Sequence, residues 1–310
     1  MPKQSDMENK QLVIIGGGPA GLAAAIYAGR ADMDGVLLEK LSPGGQVLIT
    51  DKVENYPGFE EISGFDLVDK MAAHAWKFGI EHKNGEVSYI QKQDDSSFKI
   101  VLAGGEEIIS RAIILATGAT HSILGVKGEQ EFTGRGVSYC ATCDGPFFRD
   151  QEVAVVGGGD SAVQEAIFLT KFASKVYIIH RRDELRATKI LQKKAFENPK
   201  IELVWDSIVE EITGNETVEA VNILNKKTGQ KTSLPVQGVF IFVGIQPNTG
   251  FIKGLVDMDE RGFIRTDEWM RTSEKGIYAA GDCRLKPLLQ IVTAVSDGAT
   301  AAFAVEHDLS

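Results

Sequence analysis

The sequence predicts an α/β fold of two Rossmann-like domains, the second inserted into the first. Three observations carry that expectation. A Gly-rich turn occurs twice in register: Val13-Ile14-Ile15-Gly16-Gly17-Gly18-Pro19-Ala20-Gly21 lies residue for residue on Ala154-Val155-Val156-Gly157-Gly158-Gly159-Asp160-Ser161-Ala162. Short apolar strands alternate with stretches of helical periodicity, the pattern of parallel βαβ units. The last strand and helix follow no Gly-rich turn of their own, so they complete the first domain after the second has intervened. With 310 residues the chain has the length of about two domains. The expected division is residues 1–120 with 249–310 in one discontinuous domain, and 121–248 in the other.

Taken in order, residues 1–10 are polar and read as frayed. Residues 12–15 form an apolar run of strand length, and beyond the Gly turn residues 19–29 repeat Ala, Leu and Ile at helical spacing. Residues 36–38 make the next strand. Residues 42–62, rich in Gly, Pro and Asn, read as a ligand-lining loop. A helix over 64–78, a β-rich stretch through Gly105 and a buried strand over 113–116 come next, stopping at Thr117-Gly118. The second βαβ unit opens at Glu152 and runs through His180. A charged helix is expected after it, then hairpins turning at Gly214-Asn215 and Thr228-Gly229. A strand over 239–243 ends at Gly244. Finally Ile277-Tyr278-Ala279-Ala280-Gly281-Asp282 leads to a helix over 291–305. The linkers fall near 118–121 and 244–250, both containing glycine.

Composition is that of a globular protein, 43% hydrophobic and 25% charged. A net charge of −10 argues against a nucleic-acid partner, which needs a cationic surface. No apolar run reaches the roughly 18 residues of a membrane span. Lys10 ahead of a small, apolar stretch imitates a secretory signal, but Gly16-x-Gly18-x-x-Gly21 at a strand-to-helix turn accounts for the same residues. Three cysteines cannot build a fully paired framework, so the chain reads as cytoplasmic and any disulfide as catalytic.

The glycines act by lacking a side chain. Gly16 and Gly157 permit the tight turn, Gly18 and Gly159 let backbone N–H groups approach a pyrophosphate, and Gly21, matched by Ala162, allows close helix packing. Asp160 and Ser161 open the second helix, whose N-terminal dipole favours the anion, as in the first. Selectivity comes from the next strand end. Glu39 accepts hydrogen bonds from a ribose with free hydroxyls and repels a 2′-phosphate, so the first site takes FAD or NAD. The matching residue is His180, followed by Arg181, Arg182 and Arg186, whose guanidinium forks suit a 2′-phosphate. The second site therefore reads as NADPH.

Cys140-Ala141-Thr142-Cys143-Asp144-Gly145 lies just before the second Gly turn. Two residues between cysteines allow a small disulfide loop with one activated thiol, and Asp144 is placed to shuttle a proton. Only Cys283 and five scattered histidines remain, too few for a metal site, and Cys283 reads as a buried small hydrophobe. A relay from NADPH to a disulfide needs a carrier that accepts hydride and reduces sulfur, which a flavin does and a second nicotinamide does not. FAD is the coherent occupant of the first site.

Together these motifs resemble the low-molecular-weight thioredoxin reductases over nearly the whole chain. The likeness rests on the two Gly turns, Gly44-Gly45-Gln46, Val53-Glu54-Asn55-Tyr56-Pro57-Gly58, Ala116-Thr117-Gly118, Cys140–Gly145, His180-Arg181-Arg182-Asp183-x-x-Arg186-Ala187, the 243–248 segment and Ala280-Gly281-Asp282. The resemblance implies a homodimeric flavoenzyme that passes electrons from NADPH through FAD to its own disulfide and then to thioredoxin. It implies that Cys143 faces the flavin, Cys140 attacks thioredoxin and Asp144 serves as acid and base. Glu39, Gly45, Gln46, Asn55, Val87, Thr117, Gly281, Asp282 and Gln290 would contact FAD; Ser161, His180, Arg181, Arg182 and Arg186 would hold NADPH. It also implies a rotation of the inserted domain that brings dithiol and NADPH to the flavin in turn. The sequence departs from many relatives at Leu289, where they carry Arg. Alternatives are a related flavin disulfide reductase, a dithiol oxidase, which would lack the arginines, and a nucleotide-binding redox sensor.

Overall fold

The computed structural model describes residues 8–50, 53–93 and 96–310; residues 1–7 of the start expected to fray lie outside the described residues. In chain order the elements are β1 (Glu8–Ile15), α1 (Pro19–Arg30), β2 (Gly35–Glu39), α2 (Gly64–Trp76), β3 (Glu81–Asn84), β4 (Val87–Lys92), β5 (Phe98–Leu102), β6 (Glu107–Leu115), β7 (Ala119–His121), β8 (Val137–Ser138) and a single helical turn, α3 (Ala141–Asp144). Then come β9 (Glu152–Val156), α4 (Asp160–Leu169), β10 (Lys175–Ile179), α5 (Lys189–Phe196), β11 (Ile201–Val204), β12 (Ser207–Gly214), β13 (Val218–Asn225), β14 (Lys231–Pro235) and β15 (Gly238–Ile241). The chain finishes with β16 (Ile245–Pro247), β17 (Ile277–Ala279) and α6 (Ile291–Leu309). Two compact units result, one of residues 1–120 with 246–310 and one of 121–245. The sequence put the return at 249 within a linker near 244–250; the change of unit falls at 245–246, within β16 and inside that linker.

In the first unit β3-β2-β1-β6 run parallel, and β6 divides its far edge. Its C-terminal half pairs in parallel with β17, its N-terminal half antiparallel with β5, which continues to β4. Leu12 and Ile14 pack with Ala24, Ala28, Ala301 and Val305 of the helices, while Val13 and Ile15 pack with Phe98, Ile100 and Ile264. Both faces of the sheet are covered, which is why β1 reads as a continuous apolar run. β1 nevertheless starts at Glu8, inside the stretch expected to fray. Glu8, Asn9 and Lys10 pair with Ile108, Ile109 and Ser110, and Lys10 lies among Glu8, Asp34 and Glu81.

Helices α1 and α6 meet backbone to backbone: a Cβ on Gly298 would stand 2.0 Å from the Ala20 carbonyl oxygen. Gly298→Ala is expected to push the helices apart and destabilise the protein by about 1–3 kcal/mol, the usual cost of overpacking. Urea denaturation measures it; an unchanged midpoint would show that the helix pair yields freely.

The second unit repeats the plan as β11-β10-β9-β15-β8, all parallel, with the antiparallel sheet β12-β13-β14 on one face. Ile113 stands between Val13 and Ile277; its counterpart Val239 stands between Ala154 and Val137. β8 therefore fills the place of β17, although it precedes its Gly turn in the chain. The charged helix expected after His180 is present and starts at Lys189. The Arg186 and Ala187 amides donate to the Gly158 carbonyl (2.7 and 3.2 Å) and the Thr188 amide to Asp160 Oδ1 (2.6 Å), so residues 181–188 fold back as a loop. No helix among the described residues is long and apolar enough to cross a membrane.

Candidate active site

The first Gly turn joins β1 to α1. Gly16 has φ 107°, and a Cβ there would lie 2.3 Å from the Ala116 carbonyl oxygen; one on Gly21 would lie 1.8 Å from that of Gly16. Gly18 caps α1 with no side-chain hydrogen bond, and the space where its Cβ would stand is open for 4 Å. The amides of the helix start therefore face a clear volume, the arrangement that receives a diphosphate. Glu39 is set at the strand end by two backbone donors, Gly17 N–H to Oε2 (2.7 Å) and Leu41 N–H to Oε1 (3.0 Å). Its remaining lone pairs are available to ribose hydroxyls. The following loop folds back over the turn: the Gly44 amide donates to the Gly17 carbonyl (2.7 Å), which lays Gly45 against Gly18 and leaves Gln46 exposed beside it.

Asn55 and Gln290, far apart in sequence, meet through Asn55 Nδ2 donating to Gln290 Oε1 (2.9 Å), and Gln290 also caps α6 in a capping box with Thr293. Thr117 and Asp282 come just after β6 and β17, adjacent parallel strands, at the C-terminal sheet edge where such folds bind ligands. Thr117 Oγ1 is buried without a hydrogen-bond partner among the described residues, and buried Asp282 Oδ1 meets only the Lys286 ammonium, at 3.4 Å and outside hydrogen-bond geometry, a sign of groups prepared for a polar ligand. Burial foremost raises the Asp282 carboxyl above its ordinary value, opposed by Lys286. Val87 starts β4 and packs on the Phe98 cluster, two residues beyond Gly85, whose amide donates to the Glu39 carbonyl (2.9 Å).

Two residues escaped the sequence reading. Asp297 of α6 accepts from the Gly281 amide (3.1 Å), and Lys286 bridges Asp297 (3.0 Å) and Asp282 (3.4 Å). They fix the Gly281-Asp282 turn. The signal was available: Asp297 sits beside Ala294, Gly298 and Ala301 on the buried face of α6.

The second Gly turn copies the first and changes its chemistry. Gly157 has φ 151°, and a Cβ on it would meet the Phe242 carbonyl oxygen at 2.5 Å; Gly159 is open, as Gly18 is. Where the Glu39 side chain lies over Gly17, the His180 ring lies over Gly158, within 2.3 Å of where a Cβ would be. His180 is 4% exposed, and its Nε2 is buried without a hydrogen-bond partner among the described residues. Burial foremost, then the charges of Arg186, Arg181 and Arg182, hold its imidazole below the ordinary value. All three arginine side chains are exposed and make no ion pair among the described residues; the nearby Asp183 is bound by Lys227 (2.8 Å). Uncommitted guanidinium groups around a strand end fit a phosphate. Ser161 stands in the first turn of α4.

Two histidines make stability depend on pH. Burial holds His121, like His180, below the ordinary imidazole value. Both rings stay neutral in the fold, whereas the unfolded chain takes up protons near pH 6.5. Stability present above that pH is lost as pH falls through it towards the folded values. Urea midpoints of the flavin-loaded protein are expected to drop between pH 7 and 5, less steeply in His121→Gln. Equal slopes would remove this histidine from the account.

Cys140 and Cys143 form a disulfide with Cα atoms 5.3 Å apart. Cys140 caps the α3 turn, and its Sγ accepts from the Cys143 amide (3.2 Å). The Ser138 hydroxyl accepts from the Cys140 amide (3.0 Å), and the Asp144 amide donates to the Cys140 carbonyl (3.1 Å). An amide on Sγ stabilises a thiolate there once the bond is reduced. The strand register that lays Ile277 on Val137, continued forward, lays Cys283 on Cys143 and Ala280-Gly281-Asp282 on Cys140-Ala141-Thr142. Cys283 itself is 0% exposed and donates to the Leu115 and Ala280 carbonyls (3.2 and 3.3 Å); burial pushes its thiol up to about 11. It is inert.

Comparison with known proteins adds a consistent set of likenesses. Residues 10–298 match the family described as pyridine nucleotide-disulphide oxidoreductase. The thioredoxin reductase of Listeria innocua is 51% identical over 291 residues, covering 94% of this chain and 91% of the relative. That of Bacillus subtilis is 48% identical over 297 residues, covering 96% and 93%. The crystal structure of thioredoxin reductase from Streptococcus pyogenes superposes with a TM-score of 0.94 at 50% identity, covering 97% of this chain and 98% of that one.

Proposed function

The chain belongs to the pyridine nucleotide-disulphide oxidoreductase family, and from that premise we infer that it is an FAD- and NADPH-dependent thioredoxin reductase. The observation that carries the reading is a pair of unlike adenosine pockets on one chain that also holds a disulfide. One is acidic at Glu39, the other cationic at Arg181, Arg182 and Arg186. When bound, FAD accepts a hydride from NADPH and supplies an electron pair to a disulfide.

The residues of the chain do the rest. Glu39, with Gly16, Gly18 and Gly45, holds the adenosine diphosphate end of FAD; Asn55, Thr117, Asp282 and Gln290 offer polar atoms to it. Gly157, Gly159, Asp160 and Ser161 receive the NADPH diphosphate, and the arginines with His180 hold its 2′-phosphate. Two electrons break the Cys140–Cys143 bond and leave two sulfurs, with Asp144 moving a proton at Cys143. Cys140 as thiolate attacks one sulfur of oxidised thioredoxin and expels the other, which is protonated. Cys143 then attacks Cys140 in the mixed disulfide, re-forms the internal bond and releases thioredoxin with two thiols. We assign the FAD site to the discontinuous unit and the NADPH site with the dithiol to the inserted one, and expect a cytoplasmic homodimer. The uncommitted arginines disfavour a dithiol oxidase.

The test is a visible spectrum of the purified protein titrated with NADPH and with NADH, then with oxidised thioredoxin. NADPH should bleach a flavin band that thioredoxin restores; a preparation that binds no flavin would end this reading.

A further inference from the structure

We propose that Glu129 and Tyr139 are positioning residues for the dithiol, a brace that fixes the backbone from which Cys140 presents its sulfur. The inference rests on the thioredoxin reductase reading. Glu129 is 1% exposed, yet it touches none of the nucleotide turns. Its Oε1 accepts from the Leu124 amide (2.9 Å) and the Tyr139 hydroxyl (2.8 Å), and its Oε2 from the Gly125 amide (2.7 Å). A carboxylate inside a protein survives when it is met by donors in this way. The residue it secures is specific: Tyr139 immediately precedes Cys140.

The tyrosine is held on two sides. Its hydroxyl is committed to Glu129, and its ring stacks on His121 with centroids 5.4 Å apart and planes 24° apart. Burial, then the hydrogen bond to Glu129 and its charge, keeps the phenol well above its ordinary value, so it remains a donor. On the strand, Val137 and Ser138 pair with β15, and the Ser138 hydroxyl accepts from the Cys140 amide. β8 has only two paired residues, too short a ladder to orient Cys140 by itself. The Glu129–Tyr139 contact supplies the missing restraint at the residue between strand and sulfur. With it, Cys140 Sγ keeps the Cys143 amide that favours its thiolate, and its approach to a disulfide keeps its line.

The experiment uses flavin-loaded enzyme and two variants. Tyr139→Phe removes only the hydroxyl and keeps the ring on His121; Glu129→Gln places an amide among donors and is the harsher change. For Tyr139→Phe the expected result is a kcat for thioredoxin lower by about tenfold, from misplacement of a reacting atom. KM is unchanged, and NADPH bleaches the flavin at the wild-type rate. Iodoacetamide should alkylate Cys140 of the chemically reduced protein several-fold more slowly at neutral pH. A purely structural tyrosine would lower the melting temperature and leave alkylation alone. Turnover and alkylation both within about twofold of wild type would overturn the proposal, as would a changed KM with unchanged kcat. Wild-type enzyme that fails to reduce thioredoxin would sink the functional reading instead, while the alkylation comparison still judges the brace.

Discussion

Cys140→Ser is expected to abolish thioredoxin reduction while NADPH still bleaches the bound flavin at an undiminished rate. Sulfur reacts as the thiolate, and here the Cys143 amide on Cys140 Sγ favours that form. A serine hydroxyl at the same place stays protonated and attacks sulfur poorly. Loss of a sole nucleophile costs about four to six orders of magnitude in turnover, against a background set by binding alone. The hydride step depends on the two nucleotide turns, which the substitution does not touch. Stopped-flow absorbance separates the half-reactions, and a thioredoxin-coupled assay reads the whole. Disulfide reduction surviving in Cys140→Ser would remove Cys140 from the attack and hand the role to Cys143.

Replacing Arg181 and Arg182 together by Ala should weaken NADPH binding by about two to four orders of magnitude, taking about 1.5–3 kcal/mol for each charge-assisted contact. NADH, without the 2′-phosphate, should lose far less. The structure sharpens this expectation, since neither arginine is engaged with a carboxylate among the described residues and Asp183 belongs to Lys227. Their removal breaks no native ion pair there, so stability should stay within about 0.5 kcal/mol, as for ordinary surface changes. Equal losses for both dinucleotides in titration calorimetry would place the 2′-phosphate elsewhere.

The parts of the site that local pattern encodes were open to reading. Glu39 and His180 each end an apolar strand at a fixed distance from a Gly turn, so their place over Gly17 and Gly158 is set by the motif. Residues that act by meeting distant chain were not. Asp297 stands out as a polar residue on an apolar helix face, and Glu129 as an isolated acid, but nothing beside either in sequence announces its partner, Gly281 or Tyr139. Where the charged helix after His180 begins was hidden for a related reason. Residues 181–188 are as charged as the helix that follows them, but the Arg186, Ala187 and Thr188 amides find acceptors at Gly158 and Asp160. Glu8 and Lys10 look like a solvated tail until β6 and a cluster of opposite charges hold them.

The coincidence of Cys143 with Cys283 in the strand register bears on how such a molecule arises. Two copies of one coenzyme-holding module share a rim position: one keeps an aspartate turn there with a sealed sulfur behind it, the other carries Thr142 in place of the acid and a second sulfur, Cys140, in place of Ala280, with neither sulfur sealed. Novel chemistry of this kind needs no new scaffold. It needs a duplicated one, and a turn at the strand ends in which a few substitutions make a grip on a cofactor into a place for electrons to leave.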